Sequence, residues 1–288
     1  MERDVKPVRE RNNRKVRRER WWQFAERAAG LYAALADLER VLVFAKTSRT
    51  QMPALVPSNQ ILSQALVMIT TEELSRLGLH SSDFQYWWTE KYSSGMKADL
   101  RFTPSDCFET FSRPATTRSM REAGKELDAF RYSVMERRRI GLTTLYNLAH
   151  DETTTDEDVA RLREIHVEID ESVREAYALD EEREPAIRDY EAEIASAPLP
   201  TWREIELGHG FHETRQGVRF TISAQARADV LDKLLALNHY RHEQEVKQGL
   251  HSGKGRGASR KREAGRASSG AVPALDDGGL FPPEGTLF

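Results

Sequence analysis

Cys107 is the single cysteine among 288 residues, so neither a disulfide framework nor a thiolate zinc site can be assembled. The histidines include two close pairs, His209 with His212 and His239 with His242, each able to offer two metal ligands. No set completes a four-ligand shell at good spacing, so no metal site is expected. Glu245-Val246-Lys247 fits the Glu-x-Lys of metal-dependent nucleases, with Asp229 and Asp232 upstream. That chemistry wants its acids at strand ends, whereas this stretch reads as a helix running into a polar tail. There is no Gly-x-x-x-x-Gly-Lys phosphate loop, no His-Glu-x-x-His and no Gly-x-Ser-x-Gly nucleophile elbow. The sole Pro-Pro, Pro282-Pro283, follows Phe281. An Asn/Asp-Pro-Pro-aromatic motif able to grip a flipped base is therefore missing, as is a Gly-rich turn for S-adenosylmethionine. Catalytic, cofactor-binding and metal-ligating residues are expected to be absent from this chain. Two segments combine cations with hydroxyls: Lys46, Ser48 and Arg49 in one, and Ser93, Ser94, Lys97 and Arg101 around Gly95 in another. Such groups contact phosphates and read base edges.

The elements that must carry these residues follow from periodicity. Val41-Leu42-Val43-Phe44 and Ala65-Leu66-Val67-Met68-Ile69 are short, β-branched runs that suit buried strands. Lys46, Ser48 and Arg49 follow the first, so a rigid element presents them, while 93–101 reads as a polar loop. Pro53 and Pro57 break the stretch between the two runs. Thr71 is placed to cap a helix ending near Gly78, and Asp83 another with Phe84, Trp87, Trp88 and Tyr92 at helical spacing. Beyond Pro114 the pattern becomes helical. Met120, Ala123, Leu127, Phe130 and Val134 form one stripe, and Val159, Leu162, Ile165, Ile169 and Val173 another, with Thr155 as its cap. A charged helix continues over 180–196, stopped by Pro198 and Pro200. Val218, Phe220 and Ile222 alternate as a strand, and Ser223 caps a last helix through Val230, Leu234 and Leu237. Phe108, Phe111 and the four tryptophans at 21, 22, 87 and 88 are assigned to packing rather than to stacking on bases.

The net charge of −3 conceals segregation. Residues 1–20 carry nine Lys/Arg against four acids, 151–193 seventeen acids against five bases, and 247–266 seven bases against one acid. Basic ends suit a polyanion, and the acidic middle suits water or a basic partner. The tail after 247 has no packing periodicity and is expected to be disordered. No run of 18 apolar residues exists, so no membrane span is expected, and the first 20 residues lack a secretory apolar region. A reducing cytoplasm is the expected compartment.

Residues 77–114 carry a more specific signal. LGLHSSDFQYWWTEKY, then LRFTPSDCFETFSRP, resembles the target-recognition region of type IIG (MmeI-like) restriction–modification DNA methyltransferases. Leu77, Gly78, Ser81, Ser82, Phe84 and Trp88 fall on the family's first pattern. Arg101, Thr103, Pro104, Phe108, Glu109, Thr110 and Phe111 fall on the second, with Phe102 in place of a usual Tyr and Ser112 in place of a usual Pro. Weaker similarity spans 6–246, including residues 40–50, 145–147, His166, Asp170, Val173, Tyr177 and 234–241. Ala178 and Leu179 depart from the family's Tyr-Gly-Trp.

The resemblance implies an α+β chain: a basic arm and linker helix at 1–35, an α/β target-recognition domain at 36–118, a mainly helical domain at 119–246 and a basic tail at 247–288. It implies double-stranded DNA as partner, and the two polar segments carrying Lys46, Ser48, Arg49, Ser93, Ser94, Lys97 and Arg101 are the expected DNA surface. It also implies a methyltransferase catalytic domain or subunit lying elsewhere, which holds S-adenosylmethionine, so that this chain is a truncated or split half. Two other readings compete: an acidic helical protein-interaction scaffold with a basic tail, and a free-standing DNA-binding regulator.

Overall fold

A computed structural model describes residues 2–23, 28–93, 95–96, 99–195 and 197–250. Two short helices, α1 (Lys6–Glu10) and α2 (Lys15–Glu19), precede α3 (Ala29–Leu35). Strands β1 (Arg40–Ala45), β2 (Thr47–Ser48), β3 (Ala54–Pro57) and β4 (Leu66–Ile69) follow. Then come α4 (Leu74–Ser81), α5 (Asp83–Tyr92), β5 (Gly95–Met96), β6 (Asp99–Arg101) and α6 (Pro104–Cys107). The helical part comprises α7 (Arg118–Arg138), α8 (Leu142–Ala149), α9 (Glu157–Arg183) and α10 (Ala186–Ile194). A 3-10 turn (Trp202–Glu204), a hairpin of β7 (Gly210–Thr214) and β8 (Gly217–Thr221), and α11 (Ala224–Lys247) complete it. The fold is mixed α and β, with small antiparallel sheets and long helices, as the sequence pattern predicts.

The first sheet has order β3-β1-β4, all antiparallel. Its central strand reads as an unbroken apolar run because both faces are covered. Val41 and Val43 pack with Leu31 and Leu35 of α3, whereas Leu42 and Phe44 pack with Leu77, Phe102 and Phe108. β3 corrects the expectation that two prolines break this segment. It is an edge strand, and Pro57 stands at its end, where no central ladder bond is lost.

Helix caps shift by a residue or two from their expected places. Ser82, not Asp83, caps α5 by accepting from Gln85 N, and Asp156, not Thr155, caps α9 by accepting from Val159 N. α4 continues past Gly78 to Ser81. Ser223 caps α11 as expected, accepting from Ala226 N. β7, which the sequence pattern did not suggest, joins β8 in a hairpin from Gly210↔Thr221 to Thr214↔Gly217.

One continuous core gathers Leu79, Phe84 and Trp87 with Leu127, Ile165, Ile169, Val173, Trp202, Val230 and Leu237, so residues on both sides of 118 share it. Phe84 stacks near both Tyr177 and Trp202. Trp87 donates to Thr221 Oγ1 at 3.0 Å and Trp88 to Thr110 Oγ1 at 3.0 Å. Phe108 and Phe111 are buried. These aromatics are packing residues, whereas Trp22 is 54% exposed.

The acidic middle is largely tied to neighbouring helices. Arg161 bridges Glu126, Glu164 and Glu168, Arg203 bridges Glu175 and Glu182, and Arg138 bridges Asp156 and Asp158. Lys233, fully buried, pairs with Glu181 and with Glu191 at 2.8 Å and lies over the Trp202 ring. No described helix is long and apolar enough to cross a membrane.

Candidate nucleic-acid interface

Segments 46–49 and 95–101, about fifty residues apart in sequence, meet in a second sheet of order β2-β6-β5. β2 pairs antiparallel with β6 in the register Thr47↔Arg101 and Ser48↔Leu100. Residues opposite one another in such a pair share a face. Thr47 and Arg101 are therefore exposed together, while Leu100 turns into the core. β5 pairs with β6 through Gly95↔Leu100 and Met96↔Asp99. The expectation of a polar loop is thus corrected at 95–96 and 99–101, which form a strand pair, because a short sheet supplies the backbone partners that a loop would leave to water.

Lys46 stands at the corner between the two sheets. Its N–H donates to Ala65 O at 2.8 Å, and its carbonyl accepts from Phe102 N at 2.9 Å, while the side chain is exposed. Ser48 turns its hydroxyl to the chain itself. Its Oγ accepts from Thr50 N (3.2 Å) and Gln51 N (3.3 Å), the arrangement of a serine turn. Gln51 takes up a left-handed conformation (φ 50°) and donates Nε2 to Ser48 O and Leu100 O, binding the turn to β6.

Arg49 is exposed yet held from both ends by the hairpin. Its Nη2 donates to Gln216 O at 3.1 Å, and its carbonyl accepts from Arg219 Nη1 at 3.1 Å. Arg219 is buried over the Tyr86 ring, 4.2 Å from its centroid, and its Nη2 donates to His150 Nε2 at 2.9 Å. Tyr86 in turn donates to Gln216 Oε1. Burial pushes the Tyr86 hydroxyl up to about 12 and, with Arg219 beside it, lowers His150 to about 2, so both stay neutral at pH 7. The hairpin turn brings a cation absent from the sequence expectations, Arg215, whose side chain is 73% exposed and 3.9 Å from Glu90. Seeing the Thr214–Gly217 turn ahead of the Val218 strand would have placed it.

Of the expected site residues, the fold gathers Lys46, Ser48, Arg49 and Arg101 around one sheet. Ser93 lies at the C-terminal cap of α5, half-buried, with an Oγ that meets no hydrogen-bond partner among the described residues. Ser94 and Lys97 lie outside the described residues.

A second polar cluster lies below the hairpin. Asp83, Asp170 and His209 bring their ligand-capable atoms within 4.8 Å of one another. Asp170 Oδ1 accepts from Asp83 N at 2.8 Å, opposite the start of α5, and its Oδ2 bonds to His209 Nε2 at 2.9 Å. Asp83 Oδ2 accepts from Thr221 Oγ1 and Ile222 N. Burial and the neighbouring Asp170 push the Asp83 carboxyl up to about 7, and burial raises Asp170 too. His209 is held above its ordinary value because its hydrogen bond and charge interaction with Asp170 exceed the opposing cost of burial. These bonds tie the start of α5 to α9 and to the end of β8, so the cluster works as a staple between them. His212, paired with His209 by spacing, instead bonds Gly208 O at 2.9 Å, and His239 and His242 are exposed on α11. Asp229, Asp232, Glu245 and Lys247 all lie on α11, away from any strand end.

No family model matches the chain, and no curated protein matches it. Among solved structures, the chain is similar to one described as the type IIL restriction–modification enzyme MmeI in complex with DNA. Identity is 21% and the TM-score 0.38, over 49% of this chain and 18% of that one.

Proposed function

We propose that this chain is the DNA target-recognition part of a restriction–modification DNA methyltransferase, with methyltransferase and nuclease chemistry carried by a separate domain or subunit. The observation that carries the reading is the β2–β6 register. It places Lys46, Arg49 and Arg101, drawn from two distant segments, around one small sheet on a rigid base, with Arg215 beside them. The motif string at 77–111 supports it as well, and β6 lies within that string. Cations on a fixed edge set the register of a duplex through its phosphates, and the guanidinium groups among them reach base edges. In this reading S-adenosylmethionine belongs to the catalytic part, which extrudes a base at a cost of a few kcal/mol, and specific contacts from this chain offset that cost. The partner is double-stranded DNA, and the chain alone binds it non-specifically, with Kd on the order of 10⁻⁴–10⁻⁶ M at physiological salt.

The test is charge reversal at Lys46, Arg49, Lys97 and Arg101, one at a time, with duplex affinity measured across a salt series. A residue on a phosphate should weaken all sequences alike and lower the salt slope by about one. A base-reading residue should cost about 1–3 kcal/mol at one position of the site. Unchanged affinity in all four variants would remove the sheet from consideration as the interface.

A further inference from the structure

On another side of the molecule, an open cleft of about 540 Å³ lies between α4, the segment 105–115 and α11. That volume is within the range of small-molecule pockets, roughly 300–1,000 Å³. Three arginines converge on it: Arg76 from α4, Arg113 from the segment, and Arg241 from α11. Arg113 is the innermost. Its guanidinium carbon lies over the Phe108 ring, 4.3 Å from the centroid, and its Nη1 is buried with no hydrogen-bond acceptor among the described residues. A guanidinium N–H without an acceptor is costly to bury, more so than a neutral donor.

Two acids sit beside the other arginines. Glu73 approaches Arg76 only to 3.8 Å, and Asp180 approaches Arg241 only to 3.7 Å. Glu109 and Glu245 also line the cleft, at exposed positions. His80, stacked against Phe108, is buried and held neutral. Burial together with the charges of Arg76 and Arg241 lowers Arg113 to about 10. The backbone beneath is latched: Asn238 Nδ2 donates to Thr110 O at 2.7 Å, Arg241 Nη1 to Arg113 O at 2.6 Å, and Tyr177 to Ser112 O at 2.8 Å. The arginines are thus carried on a fixed frame.

We infer that this cleft binds a phosphoryl anion, with the Arg113 guanidinium that lines it as the central cation and Arg76 and Arg241 as flanking cations. Planar guanidinium forks match phosphate oxygens in pairs. The group is either part of a small phosphorylated ligand or a backbone phosphate of a nucleic acid, and the inference holds without the sheet at β2–β6 being a DNA interface.

The experiment uses the full chain with pyrophosphate as probe, followed by calorimetric titration and thermal unfolding at matched ionic strength. Saturable binding is expected, with a rise in Tm of about 2–4 °C at ten times the Kd. Phosphates also stabilise proteins by surface exclusion, so the variants decide. Arg113→Met and Arg76→Gln should each weaken pyrophosphate binding at least tenfold. Arg76 is partly exposed, so its variant keeps the test open if Arg113→Met fails to fold. A DNA duplex that competes with pyrophosphate assigns the site to a backbone phosphate, and one that does not assigns it to a small ligand. Absence of saturable heat in the wild-type chain, or equal affinity in a folded variant, overturns the inference.

Discussion

Asp83 shows how much a single carboxyl can weigh when it is buried beside another. Its native value near 7 lies far above the ordinary carboxylate range, and His209 is also raised. For each group the native state holds its proton more tightly than the unfolded chain does. The resulting stability is fully present below the unfolded value and is lost as pH rises through the folded one. The window for Asp83 runs from about 4 to about 7, and His209 adds a loss of the same sign above its ordinary 6.5. Relative to Asp83→Asn, the wild-type chain should therefore lose stability between pH 5 and pH 8 in urea titrations, since the buried neutral His80, His150 and His166 act in the opposite sense equally in both proteins. Asp83→Asn keeps an oxygen acceptor for Thr221 and Ile222 but cannot ionise, so its loss over the same interval should be smaller. An identical slope in both proteins would show that Asp83 does not titrate there. The sequence marked Asp83 only as a helix cap, and nothing local to it announces Asp170 or His209, which arrive from α9 and the approach to β7.

The crossing of α4 and α7 rests on two glycines inside helices. A Cβ at Gly124 would lie 1.9 Å from Leu74 O, and one at Gly78 would lie 3.0 Å from Met120 O. An open helix gains stability, by about 1 kcal/mol, when Gly becomes Ala. Gly124→Ala should instead destabilise by about 1–3 kcal/mol or more, through forced separation of the two backbones, with a milder effect at Gly78. Thermal unfolding of the two variants checks this, and stabilisation at Gly124 would rule out so close an approach. Periodicity made the long helices legible, since α7, α9 and α11 each carry an apolar stripe with one side buried. It made β1 and β4 legible as short apolar runs. It did not reveal β2, β5 and β6, because strands of two or three residues hold no period and exist only by pairing with one another. Lys233 was likewise hidden: a charge inside a helix reads as a solvated position until Glu181 and Glu191 are brought to it. The residues of the candidate interface were visible by type, but their meeting was not, since the register joining 47 to 101 is a property of the fold.

At the scale of the molecule, the core that begins at Leu79 ends at Tyr240. A fragment of residues 36–118 would leave Phe84, Trp87 and Trp88 without α9, α11 and the Trp202 turn to cover them. Expressed alone, it should lack near-ultraviolet circular dichroism and a cooperative unfolding transition, whereas 2–250 should show both. A fragment that unfolds cooperatively would mean the sheet region is self-sufficient. Within that shared core the chain from 100 to 102 alternates: Leu100 and Phe102 are buried in separate clusters, and Arg101 between them is outside. Its two neighbours fix where position 101 points, so the scaffold does not depend on which side chain stands there. Position 101 is in effect an interchangeable letter set in a fixed frame. Substitutions at such a place can change the outer face of the sheet without first requiring repair of the fold.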